Sequence, residues 1–429
     1  MWGTRIGAVA KERERPWSVF QYDPEFVESG IEVSPLMMPL ADAPYSFPAL
    51  NPETFKGLPG LLADSLPDKF GEALIQAWLA TQGRSPDSLS PIERLCYVNT
   101  RGVGALEYFP SKDNFSHAVQ DLQVQELVLL ANDVLALRKG LDVSFASDDR
   151  KRALVRILQT SSSAGGARAK ALIAWNPETQ QVKTGHAAAP AGFEHWLVKF
   201  DGVSSNKNDD ARANLADPLG YTVVEYVYSL MARDAGIEMS ECQLLEENGR
   251  RHFMTKRFDR IGGKEKVHVQ TLGGVAHMDF NMPTANTYEA AFHVLQKLKL
   301  GRKTAEQLFR RMVFNVVSHN HDDHVKNVAF MMDREGRWRL SPAYDLAWNH
   351  NPTGWTREHQ MSVNGKRRDF TRADFDAVAR KAGISLQAAR EILEQVVTSV
   401  SRWASLARKH EVPKSLAKRV QGDLRLTFR

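Results

Sequence analysis

The sequence predicts an α+β chain, with a front half rich in short strands and a helical back half. Two observations carry that expectation. Short apolar runs bounded by Pro, Gly and Ser fill the first half, among them residues 171–175 and 195–200. From residue 221 onward the apolar spacing turns helical, over 221–235, 288–299, 303–320, 372–382 and 386–409. No internal repeat or low-complexity tract suggests a solenoid or a linker array instead.

Taken in order, residues 17–22 and 31–38 read as short strands and turns in a Pro-rich opening. A helix is expected over 61–81, opened by Asp64-Ser65-Leu66-Pro67, then a turn feeding a strand at 102–109. Helical spacing returns at 120–139. The runs at 171–175 and 195–200 suit a small antiparallel sheet. The helix at 221–235 stops at Gly236, a natural residue just past a helix end. A hairpin follows, 242–245 and 253–258 around Glu247-Asn248-Gly249, and Thr371 and Ser385 are placed to cap later helices. This organisation divides into 1–140, a strand-rich unit at 141–262 and a helical unit at 263–429.

A chain of 429 residues has room for two or three domains, and 43% apolar with 25% charged residues is ordinary for a globular protein. The formal charge of +5 suits an anionic ligand such as a nucleotide. No basic run interleaved with aromatics marks a direct nucleic-acid surface. The two cysteines, Cys96 and Cys242, are too few and too far apart for a disulfide framework or a cysteine metal site, which points to a reducing cytoplasm. No signal-type run opens the chain, and no stretch approaches the ~20 apolar residues of a membrane span.

The most specific signal is His319-Asn320-His321-Asp322-Asp323-His324-Val325-Lys326-Asn327, directly after the apolar run 308–317. Phosphoryl transfer to a hydroxyl needs a carboxylate to orient the nucleophile and accept its proton, with an oxygen ligand for Mg²⁺ close by. One loop supplies both as Asp-x-x-x-x-Asn. Asp322 and Asn327 have that spacing and Asp323 does not, so Asp322 is the candidate base. Downstream, Leu340-Ser341-Pro342-Ala343-Tyr344 ends in Asp345, where a second Mg²⁺ ligand belongs. The small residues of 161–170, with Gly165, Gly166 and Ala167 at their centre, let backbone N–H groups approach phosphate oxygens. They do not form a Walker A loop. Lys199 sits in the apolar strand Trp196-Leu197-Val198-Lys199-Phe200 and needs an anion, for which Glu225 on the next helix is the candidate. Two other readings stay open. One is a catalytically silent nucleotide-binding regulatory module. The other is a metal-dependent hydrolase built on the His- and Asp-rich 319–324 string, which lacks the ββα context of a His-Asn-His nuclease.

Together these pieces resemble the HipA-like serine/threonine kinases, toxins of bacterial toxin–antitoxin pairs. The resemblance spans nearly the whole chain. It includes Phe20-Gln21-Tyr22-Asp23, Leu62-Ala63-Asp64-Ser65-Leu66-Pro67-Asp68, Gly102-Val103-Gly104-Ala105, residues 163–170, Val198-Lys199 and Lys256-Arg257-Phe258-Asp259-Arg260, besides the two C-terminal motifs. It implies a bilobal protein-kinase-like fold, with a strand-rich N-lobe, an appended N-terminal subdomain and an all-helical C-lobe. It assigns Asp322 as base, Asn327 and Asp345 as Mg²⁺ ligands, and Lys199 to the ATP phosphates. Leu197, Phe258 and Tyr344 become walls of the adenine pocket, and Lys326 joins the nucleotide contacts. Ser163, or else Ser161 or Ser162, takes the place of a regulatory autophosphorylation serine. Lys256 departs from the pattern, standing where many members carry an acidic residue. The resemblance further implies a translation-machinery substrate such as an aminoacyl-tRNA synthetase, a small DNA-binding antitoxin through which any DNA contact runs, and no membrane.

Overall fold

The computed structural model describes every residue except 12–13, 86–87, 113–118, 139–153, 156, 159, 161–167, 187, 204–218 and 429. The chain opens with an antiparallel hairpin, β1 (Gly7–Lys11) and β2 (Ser18–Tyr22). Phe20 and Tyr22 turn inward and form a first core with Phe26, Phe55, Leu61 and Leu62. Of the two runs, 17–22 holds the strand and 31–38 forms turns. Pro35 has no N–H to give a ladder, and the Tyr22 hydroxyl folds the segment down by donating to Met38 O at 2.7 Å. The helix expected over 61–81 is two pieces, Gly60–Ala63 and Lys69–Thr81. Pro67 disfavours helical backbone at Leu66. The true cap is Asp68, whose carboxylate accepts from Gly71 N at 2.7 Å. Residues 102–109 form no strand either. The Gly104 N–H goes to the Asp259 carboxylate at 2.7 Å instead of a ladder partner.

The expected sheet is present and larger, with five antiparallel strands in the order β4-β3-β5-β7-β6. They are β3 (Lys170–Trp175), β4 (Val182–Thr184), β5 (Glu194–Lys199), β6 (Cys242–Glu247) and β7 (Arg250–Lys256). Asn248 and Gly249 both take positive φ, the requirement of a two-residue type I′ hairpin turn. One face of the sheet is covered by helices Lys69–Thr81 and Val124–Arg138. Phe70, Leu74, Leu127 and Ala131 pack there with Ile173, Trp196 and Met254 in a second core. Helix Tyr221–Asp234 lies against β6 and β7.

A two-stranded ribbon, β8 (Arg260–Ile261) and β9 (Glu265–Lys266), leads into the back half. Helices Tyr288–Lys297, Arg302–Val317, Arg372–Lys381, Leu386–Ser401, Trp403–Lys409 and Lys414–Asp423 dominate there. The 386–409 stretch is thus two helices, broken at Arg402. Val224, Tyr228, Met312, Phe314, Phe375, Val396 and Trp403 share the third core. The expectation of an all-helical C-lobe is corrected by one three-stranded antiparallel sheet, β10 (His268–Thr271), β11 (Ala329–Met332) and β12 (Trp338–Leu340). Its central strand is entirely buried, and a short apolar run of that kind has no periodicity to separate strand from helix. This sheet frames the candidate site: residues 319–327 run into β11, and β12 leads to Asp345.

Between the first core and the five-stranded sheet lies a buried ionic knot. The Asp259 carboxylate accepts from Arg257 Nε at 2.9 Å and Nη2 at 2.7 Å, from Arg260 Nη1 at 2.8 Å and from Gly104 N. Burial alone would raise its pKa, but the two guanidiniums hold it well below the usual carboxylate range. A depressed pKa adds stability above the unfolded value, lost as pH falls toward the folded one. Asp259→Ala is expected to lower unfolding free energy by about 3–5 kcal/mol, because two buried guanidiniums lose their counter-charge. Urea unfolding of wild type and variant at neutral pH measures it.

Candidate active site

Lys199 ends β5, and its side chain is 8% exposed. A buried ammonium needs anions, and two converge on it. Glu225, fully buried on helix Tyr221–Asp234, accepts from Nζ at 2.6 Å. The second is Asp345, whose carboxylate accepts from the same Nζ. Burial would push the Lys199 pKa down, but the charges of Asp345 and Glu225 outweigh it and hold it above its ordinary value. For Asp345 burial works upward, and the Lys199 ammonium overrides it, keeping the carboxyl well below the usual range. Glu225 goes the other way: burial raises it more than Lys199 lowers it. Asp345 also sits in the left-handed backbone region at φ 55, uncommon for a residue with a Cβ and concentrated at functional positions.

The loop carrying Asp322 is fixed from behind. Helix Arg302–Val317 ends and His319 reverses the chain at φ 60. Asn320 Nδ2 then donates to Asn315 Oδ1 at 2.9 Å. Asp323 is buried and accepts from Tyr288 Oη at 2.9 Å and Gln360 N at 2.6 Å, and it pairs with His359 Nδ1 at 2.9 Å. Its neighbour Asp322 keeps a third of its side chain exposed. The two aspartates therefore divide their work, one buried to anchor the loop and one left partly exposed. Burial of the carboxylate and repulsion from Asp345 raise the Asp322 pKa against the opposing pull of His324. Asn327 Nδ2 donates back to Asp322 O at 2.8 Å. That bond uses the amide NH₂ and leaves the amide oxygen as a hard donor.

The donor set fits a Mg²⁺–nucleotide complex. Asn327 and Asp345 offer the oxygens that a hard cation takes, and the Lys199 ammonium is a charge that phosphate oxygens can meet. Phe258 and Tyr344 stand with ring centroids 5.8 Å apart, and Tyr344 Oη donates to Lys326 O at 2.6 Å. Leu197 lies two residues before Lys199 and so shares its face of the strand. The Lys326 ammonium lies over the Phe280 ring, 5.1 Å from its centroid. Lys256 is tied to acidic neighbours, Glu194 at 2.6 Å and Glu241 at 3.6 Å. Gly165, Gly166, Ala167, Ser161, Ser162 and Ser163 lie outside the described residues.

Several residues carry more of this arrangement than their sequence context revealed. Arg168 places Nη1 3.6 Å from Glu225 Oε2 and its guanidinium 3.8 Å from the Tyr221 ring centre, and it contributes positive potential at Asp322 and Asp345. Lys170 Nζ meets Asp68 Oδ2 at 2.9 Å in a pair almost wholly buried. Asp64 accepts from Thr271 N at 2.6 Å and Thr271 Oγ1 at 2.8 Å. The 62–68 motif thus reaches into both lobes. Arg311, buried on helix Arg302–Val317, donates to Ser341 O at 2.6 Å and steadies the turn before Asp345.

A two-lobed α+β frame with a strand lysine paired to a helix glutamate defines a kinase-like architecture. A family model described as the HipA-like C-terminal domain matches residues 162–404, and one described as the HipA N-terminal domain matches residues 1–109. The chain belongs to the HipA-like family. Its fold is similar to that of HipA from Shewanella oneidensis MR-1, solved in a complex with HipB and operator DNA. The TM-score is 0.67 at 14% identity, covering 97% of this chain and 92% of that one. A curated relative, Y4mE of Sinorhizobium fredii, provisionally named a kinase, is 25% identical over 194 residues, or 42% of this chain. The match spans 46% of that relative's length. The proinflammatory kinase CtkA of Helicobacter pylori aligns over 53% of this chain and 92% of its own, at 12% identity and a TM-score of 0.30.

A raised carboxyl pKa means the folded state disfavours the ionised form, so stability contributed by the protonated acid is lost as pH rises through the folded value. Asp322→Asn is therefore expected to melt above wild type at pH 7. That gain should shrink as pH falls toward the ordinary carboxylate value of 3.8. Paired thermal melts across that pH range check it.

Proposed function

We propose that this chain is an ATP- and Mg²⁺-dependent serine/threonine protein kinase. The observation that carries the reading is the convergence of Glu225 and Asp345 on Lys199, beside the loop that joins Asp322 to Asn327. Asp322 orients a protein hydroxyl and takes its proton, for which its raised pKa suits it. Lys199 holds phosphate oxygens, and Glu225 keeps that ammonium in place. Asn327 and Asp345 hold the metal, which when bound neutralises charge developing on the transferred group. Without nucleotide, the Lys199 ammonium and Asp345 carboxylate neutralise one another. A phosphate for the first and a cation for the second exchange that pair without leaving either charge buried alone.

Family membership supports a toxin-type growth inhibitor acting on a translation component, such as an aminoacyl-tRNA synthetase. The Shewanella HipA assembly with HipB supports an antitoxin partner of the same kind, with DNA contacted through it. Autophosphorylation belongs to this reading, with Ser163 as the acceptor in the Gly-rich loop. A phosphoserine adds about −2 charge beside the nucleotide phosphates and repels them.

With γ-labelled ATP and Mg²⁺, Asp322→Asn should bind nucleotide but lose roughly 10²–10⁴-fold in transfer rate, the usual contribution of a positioned base. Wild-type transfer by that variant contradicts the assignment. Mass spectrometry of Ser163→Ala should find no phosphate in residues 161–170. The same phosphopeptide on that variant moves the acceptor to another serine.

A further inference from the structure

Behind the loop that presents Asp322, four imidazoles gather with no role in the chemistry above. His319 and His321 come from the loop, His350 from the segment after Asp345, and His359 from the turn that anchors Asp323. Ring centroids lie 4.0 Å apart for His319 and His321, 4.5 Å for His319 and His350, and 4.4 Å for His321 and His359. One ring nitrogen from each of His319, His321 and His350 lies within 4.8 Å of the others.

The hydrogen bonds around these rings sort their nitrogens. His321 Nδ1 meets Thr356 O at 2.9 Å, His350 Nδ1 meets Asp423 Oδ2 at 2.9 Å, and His359 Nδ1 meets Asp323 Oδ2 at 2.9 Å. Each contact fixes the ring and leaves Nε2 as the free lone pair. This is the outer shell of a metal-bound histidine, in which an oxygen behind Nδ1 orients the ring and makes the far nitrogen a better ligand. His321 Nε2, His359 Nε2 and both nitrogens of His319 are buried with no hydrogen-bond partner. These three residues are 1%, 0% and 6% exposed. Buried ring nitrogens left without partners are costly, and a bound metal ion satisfies those that carry a lone pair. Burial holds His319 and His321 well below their ordinary pKa, so both are neutral ligands at physiological pH.

We propose that His319, His321 and His350 bind one first-row transition-metal dication of the zinc class, with the fourth position left open. Imidazole suits Zn²⁺, not Mg²⁺, which takes oxygens. The centre is separate from the oxygen ligands Asn327 and Asp345, and it does not rest on the kinase reading. Tetrahedral Zn–N bonds of about 2.0–2.1 Å need nitrogens about 3.3 Å apart, against a spread within 4.8 Å here, so binding draws the three rings together. The ion acts as a staple. Already His321 N donates to Asn349 O at 3.1 Å and Asn349 N to His319 O at 3.3 Å. Trp348 Nε1 and His350 share Asp423 at the end of helix Lys414–Asp423. A bound ion joins the Asp322 loop, the 348–350 segment and this C-terminal helix at one point. The 319–324 string that suggests a metal hydrolase from sequence thus has a second use, as half of a positioning centre.

The test is titration of metal-stripped full-length protein with Co²⁺, then Zn²⁺. Wild type should bind one equivalent of Co²⁺ with the intense visible bands of a four-coordinate site, be bleached by Zn²⁺, and melt higher with Zn²⁺ than with Mg²⁺ alone. His350→Ala, at a half-buried position, should lose the bands and the Zn²⁺-dependent shift. His293→Ala, on an exposed helix face, should keep both. Should His350→Ala fail to fold, X-ray absorption of Zn²⁺-loaded wild type reads the ligands directly, with three or more imidazole nitrogens expected. No tight Co²⁺ binding by wild type, or a first shell of oxygens, overturns the proposal and leaves the cluster as packed neutral rings.

Discussion

The ammonium of Lys199 between two carboxylates is the constraint around which the rest of the molecule is arranged. A buried cation on a central strand is unfavourable until anions reach it from elsewhere. Here they arrive from the helix between β5 and β6 and from the turn after β12. Meeting that demand draws the five-stranded sheet onto the helical half and forms the cleft. The same closure brings Asp322 within electrostatic reach of Asp345 and of Arg168. A single buried charge thus joins fold and chemistry: without Glu225 or Asp345 the strand end carries an uncompensated ammonium, and without Lys199 the two acids repel.

The N-terminal unit is joined to this centre by charges too, not by apolar packing alone. Asp68 caps helix Lys69–Thr81 and pairs with Lys170 at the start of β3. Asp64 receives Thr271 at the edge of the three-stranded sheet. Asp259 gathers Arg257, Arg260 and the Gly104 amide. Each contact ties one N-terminal motif to a strand leading to or from the cleft. The 62–68 and 102–105 motifs therefore act as docking elements, the first through its carboxylates and the second through its backbone.

Much of this was legible in the sequence, for identifiable reasons. A lysine in an otherwise apolar strand announces its need for an anion, and Glu225 on the next helix is within reach. Asp322, Asn327 and Asp345 stand at spacings set by local backbone chemistry. The sheet and the long helices follow from periods that differ sharply. Contacts between residues distant in sequence were not legible, since no local pattern links Asp68 to Lys170 or His350 to His321. Which of the two early runs makes the strand was not legible: at 31–38, Pro35 and a tyrosine hydroxyl outweigh apolar content. β11 was missed because a fully buried short strand shows no alternation. Spacing set Asp323 aside as the base, and only its three buried partners reveal it as the anchor of the loop.

Calorimetric titration of a non-hydrolysable ATP analogue, with and without Mg²⁺, tests the central claim most directly. If Lys199 and Asp345 exchange their mutual pairing for phosphate and metal, wild type should bind the analogue tightly only when Mg²⁺ is present. Lys199→Ala should then bind weakly in both cases. Equal affinity with and without Mg²⁺, unchanged in Lys199→Ala, would contradict the account.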